Sequence, residues 1–180
     1  NSTGGYLKLL DEEYIRLCFE ALGKEFGMNK QGAKLVPFSD FKSSILGQKL
    51  RLSALNKYGL EGCSTKKVRE TLFSELWILF NQLQVMESSS KLVGVSKTLH
   101  FLLPNLIMPV DRKNILTLLY GLGYVLPSLD GQFKRFREVF ERYSDLAQHL
   151  NLTVHNGDGN WWNISVPKRI DNAIAGSGLD

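Results

Sequence analysis

Residues 91–120 read KLVGVSKTLHFLLPNLIMPVDRKNILTLLY, and their reading decides the fold. The stretch is strongly apolar, yet it carries Lys97, His100, Asp111, Arg112 and Lys113, with Pro104 and Pro109 confining its middle. A helix is expected to begin at Ser96 or the glycine-containing turn before it. It must stop near Leu103, because the ring of Pro104 excludes helical backbone at the residue before it. Pro109 fixes the approach to Val110, and Asp111 then stands at the N-cap of a second helix, RKNILTLLYG. There its carboxylate can accept main-chain N–H bonds and meet the positive end of the helix dipole. Lys97 and His100 are three residues apart and so share a helix face. A hairpin this apolar needs cover, and the flanking sequence supplies amphipathic helices to pack around it.

Asp11 followed by EEYIRLCFEALGKEFG predicts an N-capped helix closed by Gly27, with Tyr14, Leu17, Cys18, Ala21 and Leu22 as its buried stripe. Residues 29–36 form a polar loop. Ser39 then caps a second helix, DFKSSILGQKLRLSALNKYG, with Phe41, Ile45, Leu50, Leu52 and Leu55 as apolar positions. Its basic side chains, Lys42, Lys49, Arg51 and Lys57, make a solvated face. Ser64 begins a third helix whose run VRETLFSELWILFNQLQV is apolar nearly all round in its second half, with Trp77 and Phe80 in the core. Beyond the central stretch, Gly121, Gly123 and Pro127 interrupt the helical pattern. Asp130 opens a further helix that buries Phe133, Phe136, Val139, Phe140, Tyr143, Leu146 and Ala147. In the tail, the alternations Leu152, Val154 and Trp162, Ile164 predict a short β-hairpin, and a terminal helix starts at about Pro167. The fold class is therefore all-α: one compact multi-helix domain over residues 1–180.

Composition bounds the function. A chain of 180 residues buries roughly two-thirds of its unfolded surface and needs no covalent staple. No apolar run approaches the ~18 residues of a membrane span, and the first residues lack the basic-then-apolar pattern of a signal peptide. A cytoplasmic protein is expected. Net charge +4 and pI ≈ 9.0 suit an acidic partner without requiring one. Cys18 and Cys63 make neither a zinc site nor a disulfide framework. His155, Asp158 and Asp171 lack metal-ligand spacing, and there is no phosphate-binding loop, nucleophile elbow or dinucleotide fingerprint. No cofactor or metal is expected.

The run Leu92-Val93-Gly94-Val95-Ser96-Lys97-Thr98, followed by Pro109-Val110-Asp111, resembles the helix-hairpin-helix DNA glycosylase superfamily. The resemblance covers about 20 residues. It implies that Lys97 attacks the sugar C1′, that Asp111 activates it and stabilises developing positive charge, and that the main-chain N–H groups of Gly94 and Ser96 grip a phosphate. Val93 stands where the family has proline, Ser96 where it has a second glycine, and the lysine-to-aspartate interval is short. The pattern S-K-x-L-H-F-L-x-P-x-x-x-P-x-D is also similar to small bacterial proteins without an assigned activity.

Two functional readings follow. In the first, the chain binds DNA and is related in architecture to helical glycosylases, with Lys97 and Asp111 as catalytic candidates and His100 as an accessory. Arg112 and Lys113 lie in a helix's first turn, where the dipole disfavours cations and a phosphate would offset the cost. Trp161 and Trp162, with Lys168 and Arg169, would stack a base and hold a phosphate. In the second reading the chain is a non-enzymatic helical interaction or assembly module. Lys97 then covers apolar surface with its stem, Asp111 only caps, His100 is a hydrogen-bonded core histidine, and the tryptophans close the fold or meet a partner. Exposed tryptophans and self-association into a homo-oligomer would favour this second reading.

Overall fold

In the computed structural model, residues 10–29, 34–63, 65–117, 120–121, 128–153 and 165–177 are described. They form a helical assembly without a named strand, and the local signals explain where each helix begins. In α1 (Glu12–Lys24), Asp11 Oδ1 accepts from Tyr14 N at 2.8 Å, and the chain turns away through Gly27 at φ +62. A positive φ is the conformation only glycine adopts without strain. The buried face is Ile15, Cys18 and Leu22, whereas Leu17 is 60% exposed and lies off the expected stripe.

The second expected helix is two: α2 (Phe38–Gly47) and α3 (Lys49–Leu55), parted at Gln48, whose φ of −107 leaves the helical region. The break rotates α3 so that Leu52 and Leu55 are buried while Leu50 is 80% exposed. Pro37, not Ser39, precedes the helix, with no side-chain cap. A single 3-10 turn (Leu60–Gly62) leads to α4 (Lys66–Gln82), capped by Thr65 Oγ1 accepting from Val68 N.

The helix α5 (Leu92–Leu102) lies at the centre, with Leu92, Gly94, Val95, Ser96, Lys97, Thr98, Leu99 and Leu102 all buried. It ends ahead of Pro104, but it begins four residues before Ser96. The reason is tertiary: Gln132 Oε1 accepts from the main-chain N–H groups of Lys91 (2.7 Å) and Leu92 (3.0 Å), satisfying the orphan donors of the first turn. Gly94 is needed there, because a Cβ would stand 2.7 Å from Met86 Cγ. Met86 pairs with Leu35 in an isolated antiparallel bridge.

Residues Arg112–Thr117 form a π-helical turn, with Leu116 N bonded to Asp111 O at 3.1 Å. Ser128 Oγ caps α6 (Leu129–His149) by accepting from Gly131 N. This helix packs on α4, α5 and the 3-10 turn. Its contact with α4 is aromatic: Phe73 meets Phe140 (5.3 Å) and Trp77 meets Phe133 (5.0 Å), both edge-on. The last helix, α7 (Val166–Ser177), packs on α6, on the 3-10 turn and on the π-helical turn. The hairpin expected at Leu152, Val154, Trp162 and Ile164 gains no support: Leu152 is not in a strand, and residues 154–164 lie outside the described set. Among the described residues no helix is long and apolar enough to cross a membrane.

Candidate functional site

Three elements converge on Lys97. Its helix, α5, brings Lys97 and His100 on one side; the π-helical turn brings Asp111; and α7 brings Lys168 and Asp171. Lys97 is 9% exposed and Asp171 8% exposed, so an amine and a carboxylate share the interior. Burying a charge is costly unless it is compensated. Burial accordingly draws the Lys97 amine below the ordinary 10.5; the Asp111 and Asp171 carboxylates favour its charged form, and Lys168 opposes it. Burial prevails, which raises the fraction of nucleophilic free amine. Phe26, in the turn after α1, places its ring 4.9 Å from Lys97 Nζ and packs edge-on against Phe101.

Asp111 is positioned by α5 itself. Ser96 Oγ accepts from Val110 N at 3.0 Å and donates to Val93 O at 3.1 Å, so one hydroxyl ties the helix to the residue before Asp111. Asp171 is held from its own helix by Lys168, whose Nζ lies 2.8 Å from Oδ2. His100 Nδ1 is 2.6 Å from the Ile107 carbonyl. A carbonyl only accepts, so Nδ1 carries the proton and Nε2 keeps its lone pair. Burial holds the imidazole below its usual 6.5, so it is neutral near pH 7; the Ile107 bond works the other way.

A fourth element closes the cluster. Tyr143 of α6 is 2% exposed, and its hydroxyl has no hydrogen-bond partner among the described residues. The Tyr120 hydroxyl is likewise buried and without a hydrogen-bond partner among the described residues. Burial, with Asp171, Asp111 and Tyr120 around it, pushes the Tyr143 phenol well above its ordinary value, so it is a donor at every working pH.

The residues named from sequence thus divide. Lys97 lies within the field of Asp111, and His100 shares the neighbouring charges of Lys168 and Asp171 with Lys97. Gly94 and Ser96 are buried within the unbroken α5, where Val95 N bonds Lys91 O at 2.8 Å. No hairpin turn separates the two residues, and neither has the positive φ of such a turn. Arg112 and Lys113 are exposed on the π-helical turn beside the site. Trp161 and Trp162 lie outside the described residues. Lys168, expected to meet a phosphate, faces inward to Asp171, and Arg169 Nη1 donates to the Thr153 carbonyl at 3.1 Å.

Sequence reasoning missed Asp171, Lys168 and Tyr143 as members of the site. The first two carried a signal in their i, i+3 spacing of opposite charges, and Tyr143 in being the one phenol on a stripe of phenylalanines and aliphatics. Among the described residues no cluster of His, Cys, Asp and Glu is arranged to hold a metal. Comparison with protein-family models, with curated proteins and with solved structures finds no match to this chain.

Proposed function

We propose that the chain binds DNA and acts on the sugar of an extruded nucleotide through Lys97. The observation that carries this reading is the Lys97 amine, buried beside the Asp111 and Asp171 carboxylates and drawn toward its neutral form. Lowering an amine from its ordinary value enlarges the fraction that is a free nucleophile, and an adjacent carboxylate can take the proton it sheds. At 9% exposure Lys97 does not reach a sugar inside a stacked duplex. The substrate has to enter the protein, as in enzymes that flip a nucleotide out of the stack. Exposed Arg112 and Lys113, on the turn that begins at Asp111, supply phosphate contacts at the rim, and net charge +4 favours approach to a polyanion.

The test is binding to intact and abasic duplexes across a salt series. Wild type is expected to bind both and to prefer the abasic one. The pair Arg112→Ala/Lys113→Ala should weaken both and lower the salt slope by about 2, one for each lost phosphate contact. Absence of binding at low salt refutes the reading. The other reading, an interaction module, is favoured by Leu46 (42% exposed) and Leu50 (80% exposed) flanking the α2–α3 break. It predicts concentration-dependent sedimentation that Leu46→Ser/Leu50→Ser abolishes.

A further inference from the structure

The Tyr143 hydroxyl has no assigned use, and its position is costly. A polar group that is buried without a partner forfeits the hydrogen bonds it would make in water. Native interiors leave few such groups, and each calls for a missing partner. Of the four buried side-chain polar atoms without a hydrogen bond among the described residues, the Tyr143 and Tyr120 hydroxyls sit together at this site. Tyr143 projects from α6, the helix that packs against both α5, which carries Lys97, and α7, which carries Asp171. The carboxylates that surround Lys97 also surround Tyr143. Lacking a hydrogen-bond partner among the described residues, the phenol keeps a proton that it can give to an acceptor oxygen entering the site.

We infer that Tyr143 is a catalytic residue that donates a hydrogen bond to the carbonyl oxygen of an aldehyde while Lys97 attacks the carbonyl carbon. The inference rests on the reading of Lys97 as a nucleophile and adds the substrate class: a carbonyl compound, of which the ring-opened sugar of an abasic nucleotide is one. The step balances within the site. The nitrogen lone pair forms the new C–N bond, and the C=O π pair moves to oxygen, where the Tyr143 O–H stabilises it. One nitrogen proton passes to a neighbouring carboxylate and on to that oxygen. The nitrogen's second proton follows as the C–O bond breaks. Water leaves and a C=N imine remains.

Tyr143→Phe removes the hydroxyl and keeps the ring, so it separates chemistry from structure. Two aldehydes serve as probes, an abasic duplex and pyridoxal 5′-phosphate, each trapped on the protein with borohydride and located by peptide mass mapping. Wild type is expected to trap on Lys97. The Tyr143→Phe protein should trap at least tenfold more slowly with both aldehydes, while its melting temperature stays level or rises, because an unpartnered hydroxyl has been replaced by apolar surface. A Tyr143→Phe protein that traps at the wild-type rate overturns the inference. So does one that melts several degrees lower, since its hydroxyl then had a structural partner, and so does a wild type that traps neither aldehyde on Lys97. Trapping of pyridoxal phosphate without trapping of abasic DNA would instead remove DNA as the substrate and leave the role of Tyr143 standing.

Discussion

Replacing Gln132 by alanine should unfasten the helix that carries Lys97. Gln132 is 1% exposed and belongs to α6, yet its amide works at the start of α5, 40 residues earlier. Its Oε1 accepts from Lys91 N and Leu92 N, and its Nε2 donates to Ser89 O at 3.1 Å. Alanine removes all three bonds and leaves two main-chain donors and one acceptor with no partner in a largely buried place. Each stranded group costs about 1–3 kcal/mol, and loss of a side-chain cap alone costs about 0.5–2 kcal/mol. Because water can reach the partly exposed Ser90–Lys91 side, the lower part of the summed range applies: about 2–5 kcal/mol in total. In a chain of this size each kcal/mol moves the melting temperature by about 2–4 °C, so Gln132→Ala should melt about 5–15 °C lower. Urea denaturation followed by circular dichroism measures the loss directly. Gln132→Glu keeps the accepting Oε1, now part of a charged carboxylate, at the positive end of the helix. It should recover most of the loss while giving up only the Ser89 bond. A Gln132→Ala protein within about 1 kcal/mol of wild type would refute the account of α5 initiation. A glutamate variant as unstable as the alanine one would show that core volume, not capping, is what Gln132 contributes.

Three further outcomes are expected. Ser96→Ala strands the buried Val110 N–H and should cost about 1–3 kcal/mol by chemical denaturation, slowing Lys97 trapping as Asp111 loses its anchor; unchanged stability would refute the Ser96–Val110 link. His100 is held below 6.5 in the folded state by burial. The unfolded chain therefore takes up a proton first as pH falls below 6.5, and stability drops from there until the folded-state value is passed. Glu12, held low chiefly by its bond to Lys42, acts only below about 4.5. The slope between these values should flatten in His100→Asn, and an equal slope in that variant would rule His100 out. Burial pushes the Cys18 thiol up to about 12 and the Cys63 thiol up to about 11. An aromatic disulfide reagent at pH 8 should therefore label neither in the folded protein and both in urea; rapid labelling of the native protein would contradict their burial.

The sequence by itself determined the helices and most of their ends, because those signals are local. Asp11 at a cap, Gly27 at a positive φ and Pro104 after a helix each act within four residues, and the spacing of Phe133, Phe136, Val139 and Phe140 writes one buried face. It also placed Lys97, His100 and Asp111 in one short stretch. What it could not contain was any contact made across the fold. The start of α5 depends on an amide 40 residues away. The break at Gln48, which exposes Leu50, has only Gly47 to announce it, a glycine without the positive φ of a tight turn. Above all, whether Lys97 is a surface cation or a buried amine depends on what covers it. That was decided by the packing of α6 on α5 and of α7 on α6 and the π-helical turn, which brought Asp171, Lys168 and Tyr143 from a distance of 46 to 74 residues along the chain. Burial changes the chemistry of an amine through the loss of water around it, and the loss of water is a property of the assembled interior, carried by no single stretch of the chain.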